Sequence, residues 1–372
     1  MKRGFSHYAV FAFAADRRGN FAGKTGKTAI RKKMIQMNRK RLFRQSSILL
    51  LTLALFLGFN GSLYRLLTCR LTNNFSDSAQ PKMVDVGRYL PFEAGSDLPK
   101  IHTDFRLTGD LPVLDGAAAL VPVYAAVIEN VYPEGSVTYE GGVFSDDNYY
   151  GENFAPDSRM QYRNTVRGYK AVVDGTADIL FSAAPSAEQK QYAAEKGVEL
   201  VYVPIGLEAF VFFVNGQNPV DSLTTAQIRD IYGGRIRNWR DVGGPDRPIN
   251  PVTRLKGSGS QSVMDAFMGD RPIQGKSPLA LFGASLGYSF RFYLMDMVGA
   301  AGQEAPDVKV LRLNGVYPDR ETIRSGEYPI VASFYAVYRA DDPNKNVKKL
   351  VDWLLSPEGQ SLIEATGYVP LG

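Results

Sequence analysis

The sequence predicts an α/β protein with open, largely parallel sheets, in which one body is built from two separated stretches of chain and a second is inserted between crossing strands. Three observations carry this. From Leu111 onward short β-rich runs alternate with stretches of helical periodicity. Two longer β-rich runs, AFVFFVN (209–215) and PIVASFYAVY (329–338), bracket a region with helices of its own. Ahead of all this lies a basic segment followed by an apolar one, which predicts a membrane segment before the folded part.

Residues 1–45 hold 13 of the 43 Lys and Arg and one acid, Asp16. The formal net charge of +5 is therefore misleading, because 30 basic face 37 acidic residues from Ser46 onward. A mildly acidic body argues against a broad nucleic-acid surface, though local donors can still hold a single anion. AGKTGKT (22–28) imitates a phosphate-binding loop, but its leading glycine would fall at Phe21 or Arg18, so the spacing fails.

RKRLFR (39–44) precedes ILLLTLALFLGF, and residues 46–64 give 19 positions for a signal peptide or single membrane anchor. Export with Lys and Arg left inside follows from this order. Leu66-Leu67-Thr68-Cys69 has the outline of a lipidation site at Cys69, with Thr68 and Arg65 departing from the usual pattern. Lipidation at Cys69 and an uncleaved anchor both stay open. Cys69 is the single cysteine, so no intrachain disulfide forms, and His7 and His102 are the only histidines. That composition disfavours zinc sites and His-dependent catalysis, and no nucleophile elbow is present. The expectation is a protein without catalytic residues, cofactor or metal.

Residues 65–110 are rich in Asn, Asp, Ser, Pro and Gly without sustained periodicity, and read as a linker. The first lobe runs over 111–212. LPVLDGAAALVPVYAAVIENVYP gives a strand, a small-residue turn and a helix with Leu120, Tyr124, Ile128 and Val131 on one side. The loop SDDNYYGENFAPD (145–157) partly follows a calcium-loop pattern, but Tyr150 holds a ligand position and Asp157 replaces the final Glu, so a solvated acidic loop is expected. ADILFSA (177–183) and VELVYVPIG (198–206) are strands separated by the helical SAEQKQYAAEKG.

The inserted lobe is expected over 213–328. Thr224 and Gln227 have capping-box spacing, Leu223 and Ile228 suit a hydrophobic staple, and Gly233-Gly234 ends that helix. Residues 329–372 return to the first lobe and end in one helix, NVKKLVDWLLSPEGQSLIEATG, with Val347, Leu350, Val351 and Leu354 on one face.

VTRLKGSGSQSVMDAF (252–267) carries the chemistry. Successive amides of a Gly-Ser-Gly-Ser turn can point into one concavity, and the helix behind them adds partial positive charge. Ser258 and Ser260 offer hydroxyls, and Arg254 can fork two N–H groups onto a tetrahedral oxyanion.

Arg254-x-x-x-Ser258-Gly259-Ser260 resembles the anion-binding motif of PstS-like phosphate-binding proteins of ABC transporters. The resemblance extends to LDGAAALVPVYAA (114–126), DGTADILFSAAPS (174–186), IYGGRIRNWRDVGGPDRPI (231–249), GYSFRFY (287–293) and VDWLLSPEGQSLIEATGYVPL, in order over about 84–372. It implies a two-lobed periplasmic-binding-protein-like (type II) fold with an interlobe ligand cleft. It further implies capture of inorganic phosphate or a similar oxyanion outside the cytoplasm, at the membrane, and delivery to an ABC transporter permease. Arg254 would be the charged clamp, with Ser258, Gly259 and Ser260 giving amides and hydroxyls. Opposite them would stand the turn with Ala118 and Ala119, and the hydroxyl of Thr165. Two departures are visible: Ala118 stands where relatives carry Thr or Ser, and Ala184 where many carry an acid. One hydrogen bond to a charged ligand is worth roughly 1.5–3 kcal/mol, which leaves selectivity over sulfate open. Arg291 and Lys256 offer further positive charge or a solvated surface. The alternative is a membrane-anchored anion sensor or interaction module with a degenerate site.

Overall fold

The computed structural model describes residues 86–142, 152–254, 256–275, 285–297 and 308–371, and a few positions between 46 and 60. The chain divides into two units, Met1–Arg70 and Leu71–Gly372. In the first unit the described positions, Ser46, Ser47, Thr52, Phe56 and residues 58–60, are helical and exposed. Among the described residues no helix is long and apolar enough to cross a membrane. Most of the 46–64 segment, Cys69 and most of the 145–157 loop lie outside the described residues.

The second unit carries eleven strands and eight α-helices among its described residues. The strands in chain order are β1 (Leu114–Gly116), β2 (Tyr139–Gly142), β3 (Glu152–Phe154), β4 (Ile179–Ala183), β5 (Leu200–Asn215) and β6 (Ser222–Leu223). They continue as β7 (Asn250–Pro251), β8 (Ser285–Phe290), β9 (Val308–Val310), β10 (Arg312–Leu313) and β11 (Val331–Arg339). The α-helices are α1 (Val121–Val131), α2 (Asn164–Val173), α3 (Ala187–Glu195), α4 (Thr225–Tyr232), α5 (Gly259–Met268), α6 (Arg320–Arg324), α7 (Lys345–Leu354) and α8 (Pro357–Ala365).

One mixed sheet runs through both lobes in the order β1-β4-β11-β5-β8-β7, with β9 also on β5. β1 pairs with β4, and β7 with β8, in parallel. β11 is antiparallel to β4 and β5, and β8 and β9 are antiparallel to β5. The expected largely parallel sheets are thus corrected to a mixed sheet. A chain that leaves for an inserted lobe on one strand and returns on its neighbour must pair those strands antiparallel.

The two β runs read at 198–206 and 209–215 are one 16-residue strand, β5. Its Ile205 belongs to one apolar core, and Ala209, Phe210, Val211 and Phe212 belong to the other. The returning strand does the same in reverse: Ile330 and Val331 pack on the second core, and Phe334 and Ala336 on the first. A bulge between Phe334 and Tyr335 lets Phe334 face Gly206 and Tyr335 face Pro204. Gly206 has to be small there, because a Cβ on it would lie 2.3 Å from Phe334 Cζ.

The first core gathers α1, β1, β4, α7 and α8. α1 is buried almost all round, including Tyr124 and Ile128, because residues 86–110 wrap it. Ile101 N donates to Asn130 Oδ1 (2.8 Å), Asn130 Nδ2 donates to Pro99 O (2.8 Å), and Phe105 stacks on Trp353 at 5.4 Å. From residue 86 on, the segment expected to be a linker is therefore part of the first lobe. Its backbone is satisfied by side chains such as Asn130 rather than by a ladder, so it shows neither strand nor helix periodicity.

The single C-terminal helix expected is two. Pro357 has no N–H to continue α7 and biases Ser356 out of helical geometry, so Ser356 caps α8, accepting from Gly359 N at 3.3 Å. Val347, Leu350, Val351 and Leu354 form the buried face of α7 as expected. The predicted capping box of Thr224 with Gln227 opens α4, and the structure adds a second, Ser186 with Gln189, at the start of α3.

Candidate functional site

In the first lobe, β1 ends at Gly116, whose Cβ position would lie 2.5 Å from Tyr124 Cε1, so the chain turns tightly there. A single turn of 3-10 helix, Ala118–Leu120, leads into α1. Behind the turn Asp115 is fully buried. Its Oδ1 accepts from Gly116 N (2.8 Å) and Arg163 N (2.9 Å), and its Oδ2 pairs with Arg163 Nη1 at 2.8 Å. Burial pushes its carboxyl above the ordinary range, and the Arg163 charge opposes that. This pair ties β1 to the start of α2.

α2 opens on Asn164 with φ +59°, a left-handed conformation that Asn tolerates better than most residues. Its Oδ1 accepts from Thr165 N (2.7 Å), Thr165 Oγ1 (3.3 Å) and Ala118 N (3.4 Å). Three donors from two segments thus converge on one oxygen.

In the second lobe, Arg254 N donates to Gln261 Oε1 and to Tyr288 Oη, both at 3.0 Å, which fixes the approach to the turn. Gly257 takes φ +81°. Ser258 caps α5, its Oγ accepting from Gln261 N at 3.3 Å, and keeps its own hydrogen to donate. The amides at the start of α5 have no helical partner and sit at the positive end of its dipole.

The two halves meet. A Cβ on Gly259 would lie 3.4 Å from Ala183 Cβ, 3.6 Å from Phe290 Cε2 and 4.0 Å from Thr165 Oγ1. Between them is a cavity of about 130 Å³. Ala118, Ala119, Thr165, Arg254, Ser258, Gly259 and Ser260 all line it, so the structure brings the seven sequence-predicted residues together. Among the described residues no carboxylate pairs with the half-buried Arg254. Lys256 is on the rim, paired with Glu188 of α3 at 2.7 Å, and holds that carboxyl at about 2. Arg291 is absent from the lining. The arrangement can desolvate one small anion among a guanidinium, hydroxyls and helix-start amides.

The reading of Ala184 needs correction by one residue. Alternation at the end of β4 sends Ala183 toward Gly259, while Ala184 lines a separate cavity of about 690 Å³ with Arg229, Phe267 and Ser333. Sequence reasoning missed Asn164, Val166, Phe290 and Tyr293, which also line the first cavity. For Asn164 the signal was an Asn at the first position of a helix; the other three gave none.

A family model described as a PBP superfamily domain matches residues 150–358. The phosphate-binding protein PstS of Bacillus subtilis (strain 168) is 27% identical over 237 residues, covering 60% of this chain and 75% of the relative. The protein SphX of Synechococcus elongatus is 26% identical over 297 residues, covering 70% of this chain and 86% of its own. Among solved structures, a candidate phosphate ABC transporter substrate-binding protein from Clostridium perfringens, with bound phosphate, has the same fold. It superposes with a TM-score of 0.51 at 22% identity, over 70% of this chain and 98% of that one. The matched residues include β4, both crossing strands and the Arg254–Ser260 turn, and on this ground the chain belongs to the PBP superfamily.

Proposed function

We propose that this chain is an extracytoplasmic solute-binding protein that captures inorganic phosphate and delivers it to an ABC permease. The observation that carries the reading is the cavity itself. Polar groups from two lobes, Arg254 with the Ser258–Ser260 turn and Thr165 with the 118–119 turn, face one space. Phosphate-binding proteins among the relatives support it. The two lobes, one including residues 86–206 and the other inserted between β5 and β11, would close over the anion, expelling water so that each donor counts for more. No bond is made or broken. The basic-then-apolar order of residues 39–64 supports anchoring at the membrane, through the 46–64 segment or a lipid on Cys69.

A thermal melt of the full chain with phosphate, and with chloride as control, tests this. Phosphate at a hundred times its dissociation constant adds about 2.7 kcal/mol, or roughly 5 °C at this size. Equal melting in both salts would remove the phosphate reading and leave a sensor or interaction module with a degenerate site.

A further inference from the structure

We infer that the cavity admits tetrahedral phosphorus oxyanions in which one oxygen is replaced by a small alkyl group, that is, alkylphosphonates, on a par with free phosphate. The inference rests on the phosphate reading and narrows its ligand class. Two features of the cavity point to it.

The first is a lining that donates and lacks a charged acceptor. Its described residues supply the Arg254 guanidinium, the hydroxyls of Ser258 and Ser260, and backbone amides, while the Thr165 hydroxyl donates to Asn164 Oδ1 (3.3 Å), and no Asp or Glu is among them. The neighbouring carboxylates are committed: Asp115 is sealed behind Gly116 against Arg163, Glu188 is paired with Lys256, and Glu208, which lines an adjoining cavity with Ala117, Ala119, Gly259 and Phe290, accepts from Ala209 N (2.9 Å) and Phe292 N (3.3 Å). Asn164 Oδ1 already accepts from three donors. Hydrogen phosphate brings one P–OH whose proton can go here only to a neutral hydroxyl oxygen, a weaker acceptor than a carboxylate. Exchanging that P–OH for P–CH₃ removes the donor and leaves three oxygens for the guanidinium, hydroxyls and amides.

The second is an apolar wall. Val166 is 41% exposed, one of few large hydrophobic side chains so exposed among the described residues, and it lines this cavity. It stands across from Gly257, whose Cβ position is 3.4 Å from Val166 Cγ2. Ala117, Ala119 and Phe290 extend that surface, and Ala183, rather than a polar residue, lies under Gly259. A volume of about 130 Å³ approaches the roughly 150 Å³ that accommodates a benzene ring, so an anion with one or two carbons has room. The polar end would hold the oxygens and the apolar end the alkyl group, whose burial is favourable.

The test is a calorimetric titration of the full chain with phosphate and with methylphosphonate, repeated on Val166→Thr, a replacement of nearly the same shape that puts a hydroxyl on the apolar wall. The expected result is a methylphosphonate Kd within about threefold of phosphate or tighter, and a ratio that moves at least about threefold toward phosphate in Val166→Thr. Methylphosphonate binding more than about tenfold weaker than phosphate would overturn the inference while the phosphate reading stood. A ratio unmoved by Val166→Thr would overturn the placement of the alkyl group. Binding of neither ligand would overturn the phosphate reading and this inference with it.

Discussion

Arg163→Ala should expose how the first lobe holds its half of the cavity. Asp115 is completely buried and its Oδ2 pairs with Arg163 Nη1 at 2.8 Å. Removing one partner of a buried ion pair costs about 3–5 kcal/mol. Arg163 is 31% exposed, and Asp115 would keep the amides of Gly116 and residue 163, so the low end, about 3 kcal/mol, is expected. At roughly 2 °C per kcal/mol for a body of this size the melting point should fall about 6 °C. The pH dependence distinguishes this cause from simple loss of packing. Burial raises the Asp115 carboxyl and Arg163 lowers it, with burial the larger. The folded state therefore holds a proton where the unfolded chain has already lost it. Its stabilising contribution is full below the ordinary carboxylate value and is lost as pH rises through the folded value. Without Arg163 the folded value rises further, so the deficit relative to the parent should be smaller at acidic than at neutral pH, as Asp115 becomes neutral. Urea denaturation of both proteins at the two pH values measures it. A deficit under about 1 kcal/mol at neutral pH, or one that grows on acidification, would refute the reasoning.

Gly206→Ala should destabilise by about 1–3 kcal/mol through overpacking, since the new Cβ would lie 2.3 Å from Phe334 Cζ and 3.2 Å from Ile363 Cγ2; an unchanged denaturation midpoint would mean that Phe334 moves freely aside. Glu188→Gln removes the interlobe pair with Lys256, which lowers the Glu188 carboxyl from 4.5 to about 2. A lowered carboxyl stabilises above its unfolded value and loses that contribution as pH falls through its folded one. The midpoint difference between parent and Glu188→Gln should accordingly be constant from neutral pH to about pH 5 and fade below that.

The parts of the site legible in the sequence were those set by local rules. A Ser-Gly-Ser at a helix start with an arginine four residues before the first serine fixes cap, amides and charge together, and the Thr224–Gln227 box fixes where α4 begins. Elements set by tertiary contacts were not legible. Pro204 and Gly206 look like strand breakers, yet β5 passes through both because the Phe334–Tyr335 bulge accommodates the proline and the Phe334 ring fills the place of a glycine side chain. Residues 86–110 read as linker because their hydrogen bonds go to Asn130 and to Val131 O, far along the chain. Val166 and Phe290 carry no local mark of a binding wall; only the approach of the two lobes makes them one.

The decisive measurement is calorimetric titration of phosphate into the full chain and into Arg254→Gln, which keeps a polar side chain but removes the positive charge from the cavity lining. Saturable one-to-one binding by the parent, weakened about a hundredfold or more in the variant, is the expected result. Equal affinity in both would contradict the placement of the anion between Arg254 and the Ser258–Ser260 turn.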